Sequence, residues 1–170
     1  MPAGSTYTPI ATVTLTSTTT SLTISSIPQT YTDLAFTASM TTDADTANII
    51  LRFNNDSSTL YSATSLSGTG STVTTYKESN QGRVLITTAT ASSNATVPGV
   101  LVGSVMNYAN TTTNKTAIWR WNVPSATYPG VLGQVALYRS TSAITQINLI
   151  ASGNNFTAGS TFTLYGITAA

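Results

Sequence analysis

The chain has 170 residues and a net charge of +1; six residues are cationic and five acidic, 6% of the chain, against about a quarter in an ordinary domain. There is no His and no Cys, which excludes Cys-based redox chemistry, Cys/His metal centres, and Ser-His-Asp or Cys-His catalysis. Six scattered cations lack the electrostatic footprint of a nucleic-acid binder.

Thr supplies 36 residues and Ser 21, a third of the chain, while Glu occurs once (Glu78) and Lys twice (Lys77, Lys115). The residues that build solvent-facing helices are therefore missing. Apolar residues make up 41% of the chain and are patterned, which excludes disorder driven by charge. The length suits one all-β domain over residues 1–170, its first eight or so residues forming an extended arm. Met1-Pro2-Ala3-Gly4-Ser5-Thr6-Tyr7 has neither a basic residue nor an apolar run, unlike a secretory signal. Val97 to Met106 is interrupted by Pro98, Gly99 and Gly103 and falls short of the ~18 residues that suggest a membrane span. The expectation is synthesis in a cytoplasm, with no membrane partner.

Along the chain the dominant period is two, the mark of strands with one apolar face. Val13 and Leu15 alternate with Thr, as do Leu22 and Ile24, then Leu34 and Phe36. Turn residues follow at Pro28-Gln29-Thr30, Thr41 to Asn48 and Asn54 to Ser58, around a strand in which Leu51 and Phe53 oppose Arg52. Ser62 to Tyr76, rich in Ser, Thr and Gly, reads as a long surface excursion, and Thr87 to Thr96 as another loop. Val84 and Ile86 form a short strand between them. Val100, Val102, Ser104, Met106 and Tyr108 read as one long face. Ala117, Trp119, Trp121 and Val123 share a face opposite Arg120, and Val131, Gly133, Val135 and Leu137 oppose Leu132, Gln134, Ala136 and Tyr138. Turns at Pro124 to Gly130 and Gly153-Asn154-Asn155 bound the last strands, which carry Ile147 and Leu149, then Phe162 and Leu164.

About ten antiparallel strands, each with a face to bury, predict a β-sandwich of jelly-roll type. Its core is expected from Leu15, Leu34, Phe36, Leu51, Phe53, Val102, Trp119, Trp121, Leu137, Leu149, Phe162 and Leu164. With so little charge to guard edge strands or resist association, the surface suits close packing against neighbours.

Few residues suggest chemistry. Asp43 and Asp45 form an Asp-x-Asp pair but lack the other ligands of a Ca²⁺ loop. Asp56 and Glu78 could serve a glycosidase only if they met across a cleft; Asp56 reads as a turn residue, and Lys77-Glu78 with Arg83 as a solvated turn. Trp119-Arg120-Trp121 reads as core, with Arg120 outward. The eight tyrosines, Tyr7, Tyr31, Tyr61, Tyr76, Tyr108, Tyr128, Tyr138 and Tyr165, are the candidates for surface contacts. No catalytic, cofactor-binding or metal-binding residue is assigned, no cofactor is expected, and the Asn-x-Ser/Thr triplets of so Thr-rich a chain imply no glycan.

Three segments, Ile27-Pro28-Gln29-Thr30-Tyr31-Thr32-Asp33-Leu34, then Leu51-Arg52-Phe53-Asn54-Asn55-Asp56-Ser57-Ser58-Thr59-Leu60-Tyr61-Ser62, then Gly159-Ser160-Thr161-Phe162-Thr163-Leu164-Tyr165-Gly166-Ile167, carry a resemblance. In that order and spacing they resemble small virion structural proteins and fibre-tip domains of tailed bacteriophages. The resemblance implies a β-sandwich displayed on the virion without catalysis, Arg52 and Asp56 pairing beside a turn, and Phe162 to Ile167 as the last core strand. It implies a capsid decoration or cement protein on the outer surface of the head, with the major capsid protein as partner and a homotrimer as assembly. A chain that opens at Met1 and ends three residues after Ile167, without a shaft, favours that over the alternative, a tail-fibre adhesin holding host glycans.

Overall fold

A computed structural model describes residues 6–87, 95–123 and 130–168. Twelve strands are present among them: β1 (Tyr7–Thr14), β2 (Ser21–Ile24), β3 (Asp33–Met40), β4 (Asn48–Phe53), β5 (Tyr61–Gly68), β6 (Val73–Gln81), β7 (Val84–Leu85), β8 (Gly99–Met106), β9 (Lys115–Val123), β10 (Gly130–Tyr138), β11 (Ile147–Ser152) and β12 (Thr161–Ile167). They form an eight-stranded sheet in the order β1-β12-β3-β8-β9-β10-β5-β6 and a four-stranded sheet in the order β2-β11-β4-β7. Every pairing is antiparallel.

Eight strands pair as one nested ribbon: β1 with β12, β2 with β11, β3 with β8, and β4 with β7. Successive rungs fall alternately in the large and the small sheet. The other four strands are two added hairpins. β5–β6 leaves the ribbon between β4 and β7, β9–β10 leaves it between β8 and β11, and the two zip together through β10 and β5. Together they double the width of the large sheet.

Period-two patterning gives most strands one buried face, β1 and β6 at the edges of the large sheet excepted, and the two sheets close on those faces. Leu34, Phe36, Leu101, Trp119, Trp121, Leu149, Phe162 and Leu164 are all buried. Phe36 and Phe162 meet edge to face at 6.4 Å. At one end Tyr61 stacks on Tyr138, ring centres 4.7 Å apart, with Phe53 against both. Hydrogen bonds hold this cluster: the Phe53 N–H donates to the Tyr61 hydroxyl (3.1 Å), and the Tyr138 hydroxyl donates to Asp56 Oδ2 (2.7 Å).

Several expectations are corrected. Ser62 to Tyr76 is no surface excursion but most of the β5–β6 hairpin; its inward residues Ala63, Ser65 and Ser67 are too small or polar to announce a strand. The solvated turn expected at Lys77-Glu78 is strand β6, and Glu78 is buried. Val102 is 40% exposed and Leu15 and Leu137 are half-buried. On β8 and β10 the expected long face is the outer one, because Gly99, Leu101, Gly103 and Val105 of β8 and Leu132, Gln134, Ala136 and Tyr138 of β10 point inward. The arm expected at the N-terminus is already strand from Tyr7 on. The loops expected over Thr87 to Thr96 and Pro124 to Gly130 lie largely outside the described residues.

The inversion on β8 has a steric cause. Gly103 sits opposite Trp119 and between it and Phe36, and a Cβ there would stand 2.6 Å from Trp119 Cβ. A Cβ on Gly99 would run into the Trp121 ring. The indoles fill the core only where β8 offers no side chain, which turns its valines outward.

Candidate functional site

The four edges are weak candidates for pairing with another chain. β7 has two residues and β2 four, and β1 carries Pro9 with a bulge between Pro9 and Ala11; short strands, proline and bulges blunt an edge. The fourth, β6, is long and mostly exposed.

The outer face of the large sheet is the extended surface with unusual chemistry. Two cross-strand rows start with hydroxyls on β1, β12 and β3: Thr12–Thr163–Thr37 and Thr14–Thr161–Ser39. The Thr12 and Thr163 hydroxyls hydrogen-bond each other at 3.1 Å. The same rows continue across β8, β9, β10 and β5 as Val102–Arg120–Gly133–Leu66 and Val100–Asn122–Val131–Gly68. The next row, Ser104–Ile118–Val135–Thr64, ends at Lys77 of β6. Leu66, Ile118, Val131 and Val135 are each more than half exposed. Shallow depressions of about 550, 600 and 410 Å³ flank Ile118, which borders all three.

The charges divide sharply. Each of the five carboxylates is engaged by the fold itself. Asp33 accepts the Asn107 N–H (2.7 Å), and Asp45 the Ala95 N–H (2.9 Å). Asp43 accepts the backbone and side-chain N–H of Asn155, which hold its carboxyl below the usual range. Asp56 accepts from Ser58 and from Tyr138; the Ser58 hydroxyl, then the Tyr138 phenol, lower its pKa, and burial with the Asp56 bond pushes Tyr138 up to about 12. Glu78 pairs with Arg83 and accepts the Leu85 N–H (3.1 Å).

Four cations are likewise tied down. Arg52 donates to the Gly82 carbonyl (3.0 Å), not to Asp56, so the pairing implied by the resemblance does not form. Arg139 donates to Ser62, Thr59 and Asn80. Lys115 is fully buried, its ammonium bonded to the Thr113 and Thr141 carbonyls, and burial lowers its pKa. Arg83 is held by Glu78. Of the six Lys and Arg side chains, all among the described residues, only those of Lys77 and Arg120 have no hydrogen-bond or ion-pair partner, and both stand on the outer face of the large sheet.

Tyr7 and Tyr165 line one depression of the outer face beside Ile118 and Arg120; the other described tyrosines do not join them. Tyr61, Tyr108 and Tyr138 are buried, contrary to expectation, because their hydroxyls find partners inside: Phe53, Pro28 and Asp56 respectively. Tyr31 and Tyr165 are half-buried. Tyr7 and Tyr76 are exposed on β1 and β6, at opposite edges of the sheet, seven strand spacings or roughly 30 Å apart. Tyr128 lies outside the described residues. No group of three or more acidic side chains that could hold a metal ion occurs among the described residues, and none of their helices is long and apolar enough to cross a membrane.

Sequence reading passed over the outer face because it assigned Val102 of β8 and Leu137 of β10 to the core. The available signal was that Val100, Leu101 and Val102 are apolar in succession, as are Val131 and Leu132; an antiparallel strand apolar on both faces needs cover on both. No family model, no curated protein and no solved structure matches the chain.

Proposed function

We propose that the chain is a non-enzymatic structural subunit of a bacteriophage particle, a decoration or cement protein that adheres to the outer surface of the head and braces the shell. The observation that carries the reading is the outer face of the large sheet. It spans eight strands, on the order of 900 Å² at ordinary strand spacing, against the ~800 Å² that each partner contributes to a stable interface. Its centre is aliphatic and its flank is neutral hydroxyl, the layout of an apolar interface core with a polar rim. The engagement of all five carboxylates in holding loops and hairpins supports the non-enzymatic part of the proposal. The resemblance of the three motif segments to virion proteins supplies the setting, with the major capsid protein as partner and a trimer as assembly.

The competing adhesin reading calls for exposed aromatics clustered at one end. Tyr7 and Tyr76, on opposite edges of the sheet, lend it no support. Cryo-electron microscopy of intact particles, with copy number from quantitative mass spectrometry, tests the proposal. The expected result is many copies spread over the head. Absence from the particle, or a few copies confined to the tail tip, overturns it.

A further inference from the structure

We infer that the aliphatic half of the outer face docks a protein surface that is apolar at its centre and places carboxylates opposite Arg120 and Lys77, and not a second copy of the same face. The inference rests on the structural reading above only for the source of that partner.

Three observations converge. First, Leu66, Ile118, Val131 and Val135 are more than half exposed on adjacent strands β9, β10 and β5, and contiguous apolar area of this kind marks a contact surface. Second, the two cations without partners bracket that area. Arg120 pairs in register with Val102 and Gly133, and Lys77 with Thr64, which places them about 15 Å apart by strand geometry. Around Gly133 a Cβ would meet nothing within 4 Å, so a notch lies beside Arg120 where an incoming side chain fits. Third, the aliphatic half carries no outward carboxylate of its own: Glu78 points inward and pairs with Arg83, Asp43, Asp45 and Asp56 lie outside the strands, and Asp33 stands outward on β3, in the hydroxyl half, where it accepts the Asn107 N–H.

These facts select the occupant. Two copies meeting through their aliphatic halves would bring four cations together and no anion, and like charges facing across a desolvated interface oppose binding. Two cations are too few for nucleic acid. The side chains between them are aliphatic, without the aromatic platforms on which bases or sugars stack. A protein surface with an apolar centre and two acidic side chains satisfies both features at once. A trimer, where one forms, then uses other surfaces.

Carbodiimide coupling, which joins amine to carboxylate without a spacer, tests this on assembled particles carrying either the native chain or Arg120→Lys. The expected products link Lys77, and the amine introduced at position 120, to Asp or Glu of a different polypeptide. Links from either site to acidic residues of another copy of this chain, or no link at either site, overturn the inference. In parallel, Arg120→Glu is expected to lower retention on particles at least about tenfold while Arg120→Lys retains it; equal retention of both overturns it. Sedimentation of the purified chain completes the test, with Val135→Lys expected to leave its oligomeric state unchanged; a lower state overturns it. The two proposals fail separately. Links to an acidic partner in some other assembly defeat the phage-head reading alone, and location on heads without such links defeats this inference alone.

Discussion

The two halves of the outer face share their rows of residues but not their chemistry. On β1, β12 and β3, strands of the wound ribbon, the rows are Thr and Ser, and neighbouring hydroxyls satisfy each other, as Thr12 and Thr163 do. From β8 across the added hairpins the same rows become Val, Gly and Leu with Asn122 and an unpaired Arg120, and Ile118 and Val135 stand in the row beside them. Threonine presents a branched side chain that suits a pleated strand and a hydroxyl that tolerates water, so the first half is complete as it stands. The second half leaves apolar area in water and a cation without a partner. Only that half calls for something outside the chain.

Large effects should come from the faces that point inward. Trp121→Ala is expected to cost about 3–5 kcal/mol, lowering the calorimetric midpoint by roughly 10 °C. A matched pair of glycines sharpens the contrast: Gly103→Val, between Trp119 and Phe36, should cost about 1–3 kcal/mol by overpacking. Gly133→Val, in open space on the outer face, should be neutral or slightly stabilising in urea unfolding. Equal costs would show that the inner and outer faces have been assigned wrongly.

Glu78→Gln removes the charge that holds Arg83 and weakens the acceptor for Leu85. About 2 kcal/mol is expected, less than for a fully buried pair because Arg83 is partly exposed, and it should appear as earlier proteolysis of the β6–β7 connection. The carboxylates also set the response to acid. Hydrogen bonds from Ser58 and Tyr138 hold Asp56 below its ordinary value of 3.8. Their stabilisation is therefore present above that value and is lost as pH falls through the lowered one. With no His in the chain, the thermal midpoint should stay level from about pH 5 to 8 and drop only below about pH 4. Tyr138→Phe should shrink that acid-side drop.

The smallest stability effects are expected on the outer face, where they separate adhesion from folding. Ile118→Thr with Val135→Thr extends the hydroxyl half across the aliphatic one. It should shift unfolding by no more than about 0.5 kcal/mol per site and abolish retention on the partner. Thr37→Val, the converse change, should move neither stability nor adhesion measurably. Loss of adhesion from Thr37→Val, or none from the Ile118 and Val135 pair, would reverse the contrast between the two halves.

Much of the fold was legible in the residues. Alternation of Leu34 and Phe36, or of Phe162 and Leu164, with small polar neighbours can be satisfied only by a half-buried strand, and those strands lie where the pattern puts them. The inward Trp119 and Trp121 and the outward Arg120 follow from the same rule. The β5–β6 hairpin was not legible, since Ala63, Ser65 and Ser67 give almost no hydrophobic contrast with their neighbours. The outer face was hidden for the opposite reason: β8 and β10 are apolar on both sides, and a period of two then offers two faces without choosing between them.

The chain's residues alone determined that it would be a neutral, hydroxyl-rich, two-layered β protein, because pattern and composition are local properties read one strand at a time. Tertiary structure decided which side of β8 and β10 faces the core, since that depends on Gly99 and Gly103 standing in register with Trp121 and Trp119. It decided also which charges are spent within the fold and which two remain, a matter of which distant segments meet.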